Sequence, residues 1–185
     1  MLTGRTEHDY RSRPFAGQIV LIDGRSGAGK TTIAKQLAAQ NDAQLVQLDE
    51  LYPGWEGLRA GVQLAISEVI LQCRVPQFNW QTMRFGIPRM LNRQQRLVLE
   101  GCGVLTPDLI SAAKRTGARV ITIWVECDEA ERKARALARD GASYENRWEM
   151  WAAQEQQHIA DHNPQQLAQK IYTTDGAGGD FGIVC

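Results

Sequence analysis

The stretch Gly24-Arg25-Ser26-Gly27-Ala28-Gly29-Lys30-Thr31 constrains this chain more than any other. An apolar run, Gln18 to Asp23, precedes it, and a helical pattern, Thr32 to Ala38, follows. Strand, glycine-rich loop and helix come in that order, and the loop fits G-x-x-x-x-G-K-[ST] at every position. Such a loop brings backbone N–H groups close to an anion. The helix N-terminus adds partial positive charge and unsatisfied donors. Lys30 can reach β- and γ-phosphates as a point charge, and the Thr31 hydroxyl can ligate Mg²⁺. The expected nucleotide-binding residues are Gly24, Arg25, Ser26, Gly27, Ala28, Gly29, Lys30, Thr31 and Thr32.

The 185 residues suit one domain with a sizeable core. That domain is expected over 17–176, with a flexible arm at 1–16 carrying Arg5, Arg11 and Arg13, and a glycine-rich tail at 177–185. Formal net charge is zero, so no bulk attraction to nucleic acid or membrane is expected. Cys73, Cys102, Cys127 and Cys185 show no C-x-x-C spacing and read as reduced thiols, which fits a cytoplasmic protein. No apolar run approaches the ~18 residues of a membrane span, and Met1 to Phe15 lacks the apolar stretch of a signal peptide.

Further strands are expected at 43–49, 96–101, 119–125 and 170–174, alternating with helices at 57–73, 107–114, 128–140 and 144–162. The alternation predicts an α/β fold of three layers, a five-stranded parallel sheet flanked by helices. Ligands of such sheets bind at the carboxyl ends of the strands. Asp23, Asp49, Glu100 and the glycine-rich loop all fall there.

Three polar groupings lie outside the loop. Residues 74–96 interleave Phe78, Trp80 and Phe85 with Arg84, Arg89, Arg93 and Arg96. This is either a connection pinned to the core by its rings or an acceptor-binding flap. Arg132, Arg135 and Arg139 recur at helical spacing, as in a lid (about 128–147) whose arginines close over phosphates. Glu155, His158 and His162 share a helical face and read as a polar surface rather than a zinc site. Asp180-Phe181-Gly182 matches a protein-kinase tripeptide by chance, since no other signature of that fold accompanies it.

Phosphoryl transfer needs a phosphate cradle, a metal, a group that orients or deprotonates the acceptor, and cations for the developing charge. The candidates are Lys30 for the cradle, Thr31 with Asp49 and Glu100 for the metal, Asp49 for the base, and Arg132, Arg135 and Arg139 for the mobile charge. Asp49, Tyr52, Phe78, Trp80, Arg84 and Glu100 are the candidates for holding the acceptor.

Four stretches carry a family resemblance: Asp23 to Thr32, Asp49-Glu50-Leu51-Tyr52, Leu99-Glu100-Gly101, and Arg132 to Asp140. In these the chain resembles P-loop kinases of the uridine kinase and phosphoribulokinase group. The second is similar to that family's Asp-Ser-Phe-Tyr, whose Asp is the catalytic base. The resemblance implies a P-loop NTPase fold of nucleoside/nucleotide kinase type. It also implies transfer from Mg-ATP to a hydroxyl of a small, nucleoside-like acceptor. Family uridine kinases carry Tyr-Asp-Phe followed by a histidine, where this chain has Phe78-Asn79-Trp80 and no histidine nearby. Two other readings stand beside this one. A nucleoside monophosphate or metabolite kinase would hold an anionic acceptor with Arg84, Arg89, Arg93 and Arg96. A regulatory module with slow ATPase activity would need no acceptor. A small-molecule acceptor is the expected partner, with no nucleic acid or membrane, in a monomer or homodimer.

Overall fold

In the computed structural model of the protein, which describes residue 15 and residues 17–174 and 182–184, the central strand is β1 (Gln18–Gly24). Its period-two alternation sends Ile19 and Leu21 into one apolar cluster and Val20 and Ile22 into another. A strand apolar on both faces belongs in the middle of a covered sheet. Its neighbours are the equally apolar β3 (Arg96–Glu100) and β4 (Arg119–Glu126), both parallel to it. Outside them lie β2 (Ala43–Gln47) and β5 (Lys170–Thr173), giving five parallel strands in the order β2-β3-β1-β4-β5. A sixth strand, β6 (Gly182–Val184), adds antiparallel to β5. The sequence reading missed it because three residues in a glycine-rich tail carry no usable periodicity.

One face is covered by α1 (Lys30–Gln40) through Ile33, Ala34 and Ala38. The other is covered by α2 (Leu58–Leu64), α3 (Pro107–Arg115) and, further along, α6 (Trp148–His162). α3 starts where the sequence predicts. The Thr106 hydroxyl accepts from the Leu109 amide at 3.1 Å, and Pro107 holds the first position. The helix expected over 57–73 changes character halfway. α2 runs on as a π-helical segment, Ala65–Ile70, whose buried Ala65, Val69 and Ile70 are spaced by four and five, as a wider turn requires.

The segment 74–96 folds into two small antiparallel ribbons, Arg74–Val75 with Arg89–Met90 and Phe78–Asn79 with Arg84–Phe85. α4 (Glu129–Asp140) follows β4, its first turn capped by Asp128. Gly141, at φ 67, ends it and leads into α5 (Ala142–Glu145). Phe15, at the end of the stretch read as an arm, is buried against the main cluster, with the Arg93 guanidinium 5.8 Å from its ring centre. The readings of the rest of the arm, of most of the tail and of Cys185 lie outside the described residues. Cys73, Cys102 and Cys127 are buried and form no disulfide among the described residues. Among the described residues no helix is long and apolar enough to cross a membrane.

Candidate active site

The strand order brings the ends of β1, β2 and β3 side by side, and one cavity of about 420 Å³ opens above them. The glycine-rich loop forms its floor. Gly29 caps α1 with φ 94, a conformation that excludes most side chains. Gly27, at φ 81, lies so close to α4 that a Cβ there would sit 1.9 Å from the Arg132 carbonyl oxygen. Lys30 is buried at the start of α1, and its Nζ donates to the Arg25 carbonyl at 3.0 Å and lies 3.5 Å from Cys102 Sγ. Burial works against its charge, but Cys102, Glu100, Glu155 and Asp23 around it outweigh burial and raise its pKa to about 12.

Beside Lys30, the Thr31 hydroxyl donates to Glu100 Oε1 at 2.7 Å, and the Gln47 amide donates to the same oxygen at 2.8 Å. Asp49 follows in a 3₁₀ turn, Leu48–Glu50, at the end of β2. It is open to cleft solvent yet enclosed by protein. That enclosure first, and the Glu100 charge second, raise its carboxyl pKa above the ordinary value, while Lys30 and Arg139 pull the other way. A hydroxyl and a carboxylate in contact, with a second carboxylate in the same cleft, suit a small hard cation that keeps most of its coordination for water and phosphate.

Much of the remaining lining is aromatic. Tyr52, Trp55, Trp80, Tyr144 and Trp151 all line the cavity. Trp55 is its hub, with ring centres of Trp80 at 4.9 Å, Tyr144 at 5.5 Å and Trp151 at 6.5 Å. Tyr52 meets Trp151 edge-on at 4.9 Å and donates its hydroxyl to the Cys102 carbonyl at 2.8 Å. The Trp80 indole N–H donates to the Asp49 carbonyl at 3.0 Å, tying the ribbon to the strand end that carries Asp49.

Several sequence-predicted residues lie elsewhere. Of the three lid arginines only Arg139 lines the cavity, in a two-pronged pair with Asp140 at 2.9 and 2.7 Å. Arg132 is 1% exposed, its guanidinium 5.1 Å from the Trp148 ring centre and paired with Glu129 and Glu155. Arg135 turns to the end of β5, donating to the Thr174 carbonyl at 2.7 Å and pairing with Glu131. A shared helical face gives common direction, but α4 crosses three different neighbours along its length. Phe78 packs on Trp80 and Phe85 rather than lining the cleft, and Arg84 is exposed on its ribbon. Arg89 pairs with Glu50, Arg93 donates to the Leu71 carbonyl, and Arg96 to the Asn41 carbonyl. The Arg25 side chain and the Ser26 amide are both taken by Glu155, so neither faces the cleft as a nucleotide contact.

Glu155 and His158 are not a solvated helix face. Both are buried, and His158 Nε2 lies 2.9 Å from Asp23 Oδ2. Asp23 in turn accepts from the amides of Gly24, Gly103 and Leu105 at 2.7, 2.9 and 2.7 Å, fixing the glycine-rich loop and the loop after β3 to each other. Asp23→Ala would strand three buried amides. The expected loss is about 3 kcal/mol or more of stability, read as a lower denaturant midpoint at unchanged slope. Gln47, Trp55, Cys102, Asp140, Tyr144 and Trp151 line the cavity without having been singled out for it. Only the Trp55 and Trp151 sequence neighbourhoods, rich in aromatics, offered a signal.

No family model and no curated protein matches the chain. Solved structures similar to it include an uncharacterized protein from Eubacterium ventriosum, 15% identical over 85% of this chain and 87% of that one, with a TM-score of 0.47. A shikimate kinase from Bacteroides thetaiotaomicron is 18% identical over 86% and 87%, with a TM-score of 0.49. A gluconokinase from Sinorhizobium meliloti is 14% identical over 89% and 86%, with a TM-score of 0.43. These likenesses are too distant to bear on substrate. The fold is the three-layer P-loop NTPase arrangement, defined by the strand order and by the glycine-rich loop between β1 and α1.

Proposed function

We propose that this protein is a small-molecule kinase that moves the γ-phosphoryl of Mg-ATP to a hydroxyl of a nucleoside-like acceptor, as the uridine kinase resemblance implies. The observation that carries this reading is the junction of two unlike halves in one cavity. Lys30, Thr31, Glu100 and Asp49 share it with five aromatic rings, those of Tyr52, Trp55, Trp80, Tyr144 and Trp151. Tyr52, Tyr144 and Trp151 are buried in the main apolar cluster, whereas Trp55 and Trp80 are only half-buried and keep ring surface for an acceptor. A flat ring packs on indole and phenol faces with a gain of about 0.5–1.5 kcal/mol per pair beyond burial.

Thr31 and Glu100, with Asp49 nearby, would hold Mg²⁺, which when bound neutralises charge on the phosphates. Lys30 and the first-turn amides of α1 bind phosphate oxygens. Asp49 orients the acceptor hydroxyl and takes its proton. The rings place the acceptor and exclude water from the transfer. An acceptor bearing its own phosphate or carboxylate fits less well, because Arg89, Arg93 and Arg96 are engaged away from the cleft and Arg139 is held by Asp140.

The test is ADP release from Mg-ATP against matched pairs, each nucleoside beside its monophosphate, with sugars, sugar acids and vitamins in the same panel. Release that depends on nucleosides supports the reading; release without any acceptor sinks it. With the active acceptor in hand, Trp55→Ala is expected to raise its KM about tenfold while the KM for ATP stays within twofold.

A further inference from the structure

Glu155 lies one turn after Trp151 on α6, and no step of the proposed transfer uses it. It is 2% exposed, and a buried carboxylate is tolerated only when well satisfied. Its Oε1 accepts from the Ser26 amide at 2.7 Å and lies 3.3 Å from Cys102 Sγ; its Oε2 pairs with Arg25 Nε at 3.1 Å and Arg132 Nη1 at 3.7 Å.

The Ser26 N–H and the Arg25 carbonyl belong to one peptide unit, which is planar, so fixing one end orients the other. The Arg25 carbonyl is the acceptor for Lys30 Nζ at 3.0 Å and for the Ala28 amide at 3.1 Å. The chain of contacts therefore runs from the Glu155 carboxylate, through one peptide plane, to the ammonium expected to meet the phosphates. On the same side Gly27 closes directly on the Arg132 backbone, leaving the loop no slack there.

We infer that Glu155 is a positioning residue for the phosphate-binding loop, holding the peptide between Arg25 and Ser26 in the orientation that aims Lys30. The inference rests on the phosphate-binding reading of the loop but not on which acceptor is used. Its test takes the full-length protein with two variants, E155A and the isosteric E155Q, which keeps an oxygen for the Ser26 amide and removes the charge.

Amide hydrogen exchange over residues 24–31 is measured together with the affinity for Mg-ATP and for the acceptor. Exchange in the loop is expected to speed up and the dissociation constant for Mg-ATP to rise about tenfold in E155A. E155Q should fall between E155A and the parent, and acceptor affinity should stay within twofold. Unchanged loop exchange and ATP affinity in both variants would overturn the inference. So would faster exchange spread across α6 and the sheet with both affinities falling together, since that marks a merely structural role. If E155A does not fold, E155Q decides alone. If the parent protein binds no ATP, the kinase reading falls, and loop exchange in the variants still decides whether Glu155 holds the loop.

Discussion

Lys30→Ala is expected to lower acceptor-dependent phosphoryl transfer about a thousandfold or more. Among the described residues, the Lys30 ammonium is the one cation that is buried, lines the cavity and is carried by the glycine-rich loop itself. Its pKa near 12 keeps it charged throughout the working pH range. Glu100 lines the same cavity, so removal of Lys30 takes away the cation that offsets this carboxylate where phosphates would enter. The loss should therefore appear as weaker Mg-ATP binding and slower transfer together. A substitution that spared the rate to within a factor of ten would show that the phosphates are held elsewhere. Initial rates at saturating acceptor, with ATP varied, measure both effects, and a thermal melt separates them from unfolding.

The parts of this protein legible in its sequence are those fixed by neighbours along the chain. The Gly24–Thr31 loop needs only a strand before it and a helix after it. The start of α3 needs only Thr106 and Pro107. The five parallel strands announce themselves as short apolar runs with turn residues between them. What stayed hidden depends on which distant element a side chain meets. Arg132, Arg135 and Arg139 are equivalent on a helical wheel. In the fold they meet Glu155 and Trp148, the end of β5, and the cleft. The arginines of 74–96 looked like an anion-binding set, but backbone carbonyls and Glu50 claim most of them. The aromatic wall gathers positions from 52 to 151 that no local pattern links. Glu155 and His158 were correctly placed on one face of a helix, but spacing could not say that this face lies against the phosphate loop and Asp23.

Asp49→Asn keeps the size and polarity of the side chain and removes its ability to take a proton. The expected fall in kcat is about a hundred- to ten-thousandfold, with Mg-ATP affinity within about threefold, because the metal would keep Thr31 and Glu100. The pH profile separates a base from a mere contact. A base works in its ionised form, so the rate should rise with pH and level off above the Asp49 pKa. Enclosure in the cleft and the Glu100 charge hold that pKa above its ordinary 3.8 in the metal-free protein, and bound Mg²⁺ would pull it down again, so the acidic limb in Mg-ATP turnover is expected below the metal-free Asp49 titration. Glu100→Gln removes the like charge, so in the metal-free protein the Asp49 carboxyl should titrate at lower pH, as read by NMR. In Asp49→Asn the limb should disappear. Near-normal turnover of Asp49→Asn, or an acidic limb that survives it unchanged, would assign the proton to another group. Of the other carboxylates lining the cavity, Glu100 is engaged by Thr31 and Gln47 and Asp140 by Arg139, which leaves Asp49 the carboxylate best placed to meet an acceptor hydroxyl.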